Sequence, residues 1–421
     1  MNLRKAFSSL LFKVALAIIL GIISSLFFPA WLARVFVTFN SLFGNFLGFF
    51  IPVLIFALIT PAIAGLGKGA GKWLAITTGV AYGSTVFAGL LGYLASVSLY
   101  PTLLAGQTTG KAMDVDKGAL APYFAIEMPA PFGVMTALLL AFTIGVAMTA
   151  VRSDTLYAGV RDLERVIMRV ISAFIIPLLP VFIYGMFLAM GMNGNLTATL
   201  SAFAKVLLVA IVMTIVLLVI QYAIAGAIAR QNPVTAFKNM LPAYLTALGT
   251  SSSAATIPVT YACTKKNGVA STVAGFTVPL CATTHLAGSM LKISLFAFAI
   301  MHMNGMPLSP ATAFGFILML GITMVAAPGV PGGAIMAATG LLASMLGFDE
   351  SQVAIMIAAY IAIDSFGTAC NVTGDGAIAL VINKLAKGNI SRNELDDQIS
   401  RGEIADVLGE GSVTPEEQIK L

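Results

Sequence analysis

Charge is scarce in this chain of 421 residues: Asp, Glu, Lys and Arg together make up 10% of it. Soluble domains carry roughly 25%, so a water-facing globular surface of ordinary composition is excluded. Cysteine is nearly absent. Cys263, Cys281 and Cys370 all lie in or beside apolar segments, which suits neither a disulfide framework nor a zinc site. Histidine is limited to His285 and His302. The net charge of +5 is modest and needs no nucleic-acid partner to explain it.

Apolar sequence is abundant. The chain is 58% hydrophobic, with a mean hydropathy of +0.95. Uncharged or nearly uncharged runs recur at 14–33, 35–66, 73–101, 130–151, 166–194 and 206–229, followed by a denser region from 239 to 383. Each reaches or approaches the ~20 residues that a membrane helix needs. No small-residue cleavage site follows the first run, which therefore reads as a retained helix. Basic residues set the orientation. Arg4, Lys5, Lys13, Lys68, Lys72, Arg152, Arg161, Arg165, Arg169, Arg230 and Lys238 flank alternate spans, against Arg34, Lys111 and Lys117 in the intervening loops. The expectation is a multi-pass protein of the inner (plasma) membrane with a cytoplasmic N-terminus and a polar cytoplasmic tail over 387–421.

Beyond residue 230 the pattern changes. NMLPAYLTALG, residues 239–249, is too short to span; TSSSAAT and a second short arm, IPVTYAC, follow it. Lys238 and Lys265-Lys266 stand at the two ends, so the chain enters the membrane and returns to the same side. A second pair of arms over 309–347 flanks APGVPGG, with no Lys or Arg between 293 and 383. Irregular backbone at membrane depth survives only where protein buries it or it lines a cavity. Two such tips dipping from opposite faces point to an inverted repeat with a binding site near the midplane.

The next helix supplies the chemistry. In IDSFGTACNVTGD, Asp364, Thr368, Asn371 and Asp375 fall at i, i+4, i+7 and i+11. At about 100° per residue they form one stripe. Intramembrane carboxylates must face a protein interior or a water-filled path, and they mark function.

SSSAATIPVT, FTVPLCATTHLAGS, PGVPGGAIM and DSFGTACNVTGD, in that order, resemble the signature segments of the glutamate transporter family, the dicarboxylate/amino acid:cation symporters. The resemblance is most specific over 234–386 and is nearest to bacterial neutral amino acid transporters. It implies an all-α fold of eight transmembrane helices with two re-entrant hairpins, inverted repeats, an elevator mechanism and a homotrimer in the bilayer. Scaffold helices would occupy 1–72 and 119–196. The transport domain would comprise helix 3 at 73–101 and the 200–386 region: helix 6, hairpin 1 at 234–266, helix 7 at 271–303, hairpin 2 at 309–347 and helix 8 at 350–386. It also implies residue roles. Asp364 would hold the substrate ammonium, with Thr368, Asn371 and Ser289 around the amino acid backbone. Ser252 and Ser253 in the first tip, with Val330 and Gly332 in the second, would meet the carboxylate, and Gly367 would border the side chain. Ser84, Thr85, Cys281, Thr283, His285, Asn371 and Asp375 would form the cation-coupling region, sodium being the metal for which Asn371 and Asp375 are candidates.

Three departures sharpen the expectation. Gly367 stands where transporters of acidic substrates place an arginine, which favours a neutral substrate unless Lys292 supplies a cation from another helix. The family's NMDGT reads HLAGS at 285–289, so one sodium-liganding carboxylate is replaced by Ala287 and an asparagine by His285. Imidazole is a poor sodium ligand and a good proton carrier. Lys292 lies deep in its helix, where a structural counter-ion role is the favoured reading over snorkelling or substrate contact. The expected function is a secondary active importer of a small neutral amino acid, coupled to a proton in preference to sodium, with no resident cofactor. A sodium-coupled carrier of acidic amino acids or dicarboxylates, and an anion or ion channel on the same scaffold, are the alternatives. No nucleophile–base pair suggests an enzyme.

Overall fold

The structure is a computed structural model that describes residues 10–67, 72–105, 120–151, 153–192, 196–325, 327 and 331–387. Every regular element among them is helical. Helical stretches long and apolar enough to cross a bilayer are Ala30–Pro61, Lys72–Leu103, Asp154–Ala189, Ala202–Ala229 and Ser271–Met303, with the bent pair Glu350–Ala362 and Asp364–Leu385 as a sixth. The chain is a multi-pass membrane protein.

The N-terminal half comprises α1 (Leu10–Ser25), α2 (Ala30–Gly67), α3 (Lys72–Leu103), α4 (Val134–Val151), α5 (Asp154–Val170) and α6 (Ile176–Met192), a π-helical turn at Ile171–Ile175 joining the last two. The segment before α4 is strapped to α2. Arg34 Nε donates to Ala121 O at 2.9 Å, its guanidinium lies 4.3 Å from the Tyr123 ring centre, and Asn45 Nδ2 donates to Ile126 O at 2.8 Å. After α7 (Leu196–Ala229) come α8 (Pro233–Thr250) and α9 (Ser253–Lys266), then α10 (Ser271–Thr284) and α11 (Ala287–Met303). The chain continues through α12 (Pro310–Val325), α13 (Gly333–Leu346), α14 (Glu350–Ala362) and α15 (Asp364–Leu385).

Local chemistry sets the turns. Asn232 caps α8 by accepting from Val234 N and Thr235 N, with Pro233 at the first helical position. Ser251 takes the left-handed conformation (φ 50°) that ends α8, and Ser252 Oγ then accepts from Ala255 N to start α9. This is how a serine-rich tip turns a helix back on itself in two residues. In the second hairpin Gly332 (φ 74°) precedes α13 and Gly347 (φ 72°) ends it. Asp349 and Gln352 form a capping box at the start of α14.

Burial separates core from periphery. The window through α10 and α11 is 94% buried, that through α7 only 28%. The expected helices 7 and 8, over 271–303 and 350–386, each contain a break. The first break is at His285–Leu286, where the backbone is extended (His285 φ −111°, ψ 92°), and the second is at Ile363, with a bend of 63°. Hydropathy registers length and apolarity, and neither break lowers it. The first break is tied to α15 by Asn371 Oδ1, which accepts from Gly288 N at 2.8 Å and Ser289 N at 3.3 Å, unsatisfied first-turn donors of α11. Such close approach needs Gly288: a Cβ there would sit 2.5 Å from Gly367 O and 2.7 Å from Cys370 Cβ. Gly288→Ala is expected to destabilise the protein by about 1–3 kcal/mol, read as a lowered thermal midpoint in lipid nanodiscs. Gly79→Ala on α3, where nothing lies within 4 Å, should leave the midpoint unchanged.

Candidate functional site

All four members of the α15 stripe, Asp364, Thr368, Asn371 and Asp375, are buried. Each carboxylate already has an internal partner. Asp375 Oδ1 lies 2.9 Å from His285 Nδ1, both side chains being 1% exposed or less. With Asp375 ionised, Nδ1 carries the proton of this bond; Nε2 is turned to Ser84 Oγ, 3.1 Å away on α3. Gln221 on α7 closes the cluster: its Nε2 donates to Ser84 Oγ at 3.0 Å and lies 3.5 Å from His285 Nε2. Gly374 leaves room for this, since a Cβ there would stand 2.7 Å from His285 Cε1 and 2.8 Å from Gln221 Oε1. A cavity of about 260 Å³ lined by Val80, Gly83, Ser84, Gln221 and Gly374 among others reaches the cluster from between α3, α7 and α15. Tyr222 donates to Thr373 O one turn away, at 2.8 Å.

At the other end of the stripe Asp364 is held by two groups. Oδ2 accepts from Gly332 N at 2.8 Å, and Oδ1 lies 3.4 Å from Lys292 Nζ on α11. Lys292 is wholly buried. Its ammonium also donates to Ile363 O at 3.2 Å and Asp364 O at 3.4 Å, and sits 3.9 Å from the Tyr360 ring centre. The Ile363 carbonyl caps the C-terminal end of α14, where a cation is favoured, while Asp364 O belongs to the first residue of α15; the aromatic face adds to the cage. The Tyr360 hydroxyl donates to Ser289 Oγ at 2.8 Å, and Asn371 Nδ2 donates to the same oxygen at 3.1 Å. Lys292, Asp364, Tyr360, Ser289 and Asn371 thus form one network.

The remaining expected residues are placed as follows. Ser253 begins α9 and is buried, whereas Ser252 spends its hydroxyl on the α9 cap. Thr368, Thr85 and Thr283 hydroxyls donate to their own helices, at Asp364 O, Ala81 O and Leu280 O. The Cys281 carbonyl accepts from His285 N. Val330 lies outside the described residues. Gly367 carries no cation of its own, and the expectation leaves Lys292 able to supply one from another helix; a Cβ at Gly367 would lie 2.1 Å from Lys292 Cε and 2.3 Å from Nζ. The ammonium arrives from α11 into the space that a residue-367 side chain would fill. Gln221 and Tyr360 were not singled out from sequence. Their signals were an amide inside an otherwise apolar run and a phenol four residues before Asp364.

The Gly367–Lys292 contact makes a testable coupling. Gly367→Ala should lower the thermal midpoint sharply in the native background and have little effect in a Lys292→Ala background. Additive effects across that double-mutant cycle would contradict the packing described.

Among the described residues no group of three or more His, Cys, Asp or Glu could hold a metal ion. Residues 10–385 match the sodium:dicarboxylate symporter family. The serine/threonine transporter of Acinetobacter baumannii (strain AYE) is 29% identical over 397 residues, covering 90% of this chain and 98% of the relative. Human excitatory amino acid transporter 2 is 30% identical over 164 residues, 39% of this chain and 28% of the relative. Human excitatory amino acid transporter 1 is 32% identical over 174 residues, 40% and 31% respectively. With the match spanning nearly all the described helices, the chain belongs to the sodium:dicarboxylate symporter family, a cation-coupled secondary transporter and not an enzyme.

Proposed function

We propose that the chain imports a small neutral amino acid in symport with a proton. The observation that carries this reading is the internal pairing of both stripe carboxylates, Asp364 with Lys292 and Asp375 with His285. A zwitterion adds no net charge to the Asp364–Lys292 pair. Its ammonium would go to Asp364, as a charge-assisted bond to a carboxylate. An acidic amino acid brings one more carboxylate, for which the pair leaves no free cation, and an unpartnered buried charge is costly.

The coupling ion follows from the other pair. His285 stands between Asp375 and Ser84, so a proton at Nε2 would make the imidazole a cation beside Asp375 without any metal. Asp375 is the carboxyl group facing His285; Tyr222, Cys281 and Cys370 are the other titratable groups near Asp375. A sodium ion at Asn371 and Asp375 would compete with Gly288 N, Ser289 N and the imidazole for the same oxygens.

A second reading, a sodium-coupled carrier of acidic amino acids or dicarboxylates, is favoured by one observation: the Lys292 ammonium fills the side-chain space of residue 367. There it would serve a distal carboxylate. The relatives span both readings, a serine/threonine transporter and excitatory amino acid transporters.

The transport assembly proposed is a homotrimer in the inner membrane with both termini cytoplasmic. α1, α2 and α4 to α6 would be the scaffold, and α3 with α7 to α15 the moving domain. The two hairpins, each short and turned at a Ser- or Gly-containing tip, support an elevator around the α15 stripe.

The test is uptake into sealed vesicles with proton and sodium gradients imposed separately. An inward proton gradient in sodium-free buffer should concentrate small neutral amino acids, with apparent affinity rising as external pH falls. His285→Gln should flatten that pH dependence. Uptake that needs sodium and ignores the proton gradient, with aspartate preferred, would establish the second reading instead.

A further inference from the structure

Lys292 is the only Lys or Arg that is buried among the described residues. Its surroundings differ from those of a lysine locked into one strong ion pair. The contact to Asp364 Oδ1 is 3.4 Å, and the two carbonyl contacts are 3.2 and 3.4 Å. A committed ammonium–carboxylate bond is about 2.7–2.9 Å. Asp364 makes its shorter contact, 2.8 Å, to the Gly332 N–H at the second hairpin tip. The cation is therefore caged by several weak acceptors and the Tyr360 ring, each of which it can give up singly.

The cage is continuous with the substrate candidates. Tyr360 reaches Ser289, and Ser289 reaches Asn371. The ammonium stands beside Gly367, which has no side chain to screen it from the stripe. A molecule seated along Asp364, Ser289 and Asn371 would meet two opposite charges held 3.4 Å apart. Inserting an ammonium alone would satisfy Asp364 and strand Lys292 in a medium where unpaired charge is expensive. Inserting an ammonium and a carboxylate together exchanges one loose internal pair for two intermolecular ones.

We propose that Lys292 is a specificity-determining residue whose ammonium takes the substrate carboxylate when Asp364 takes the substrate ammonium. The site would then select α-amino acids over the matching amines by requiring both charges at once. This rests on the reading of Asp364 as the substrate's ammonium partner.

The experiment measures binding of serine and of ethanolamine, its carboxylate-free analogue, to the full chain in nanodiscs. The native protein should prefer serine strongly. In Lys292→Met that preference should fall by about tenfold or more, the size of one charge-assisted hydrogen bond, through weaker serine binding with ethanolamine unchanged or improved. Lys292→Arg should keep the preference while shifting serine affinity and leaving ethanolamine where it was. Lys292→Met with a native thermal midpoint and an undiminished preference would overturn the proposal and leave Lys292 a counter-ion. Should Lys292→Met fail to fold, the arginine variant decides: no change in serine affinity relative to ethanolamine would overturn the proposal equally. Asp364→Asn separates the two readings. Loss of both ligands supports Asp364 as the ammonium partner, so an unchanged Lys292→Met preference beside it would refute the lysine role alone. Retention of both ligands in Asp364→Asn would refute the underlying site assignment and the lysine role with it.

Discussion

A carboxylate inside a membrane protein needs a partner, and in this chain the partners of both stripe carboxylates come from one broken helix. α11 runs antiparallel to α15, so His285 at its head meets Asp375 and Lys292, two turns on, meets Asp364. The spacing explains the break. Eleven residues of helix separate Asp364 from Asp375, about 16 Å, whereas seven helical residues from His285 to Lys292 would reach only about 10 Å. Extended backbone at His285 rises about 3.3 Å and recovers part of the difference. The break thus helps two groups of one helix reach two carboxylates of the other.

Three glycines make that pairing sterically possible. Gly288 brings the start of α11 against α15, Gly367 receives the Lys292 ammonium, and Gly374 accommodates His285 and Gln221. Without side chains at these points, two buried charge pairs and the Asn371–Ser289–Tyr360 bridge between them fit within one helix–helix interface. Removing one member of a buried pair typically costs 3–5 kcal/mol because the other charge is left stranded. Substrate and coupling ion must therefore act by exchanging partners within a charge-balanced core.

The architecture was legible in the sequence because it rests on local signals. Apolar length, the Ser251–Ser252 tip, the Gly332 and Gly347 turns and the period of the α15 stripe all follow from rules acting over a few residues. The placement of Lys292 was legible only as an alternative, because a sequence shows what position 367 carries and not which group reaches it from a helix 75 residues earlier. Gln221 was hidden for the same reason: its role depends on Ser84, on a different helix, and on a Cβ missing at Gly374. The breaks at His285 and Ile363 were likewise masked, since hydropathy is blind to backbone conformation.

The claim at the centre is that the buried charges are balanced without metal, so that a neutral substrate enters with a proton. Calorimetric titration of the purified chain with serine, repeated in buffers of different ionisation enthalpy and with or without sodium, tests it most directly. The account predicts net proton uptake on binding, absent in His285→Gln, and an affinity indifferent to sodium. Binding that demands sodium and takes up no proton would contradict it.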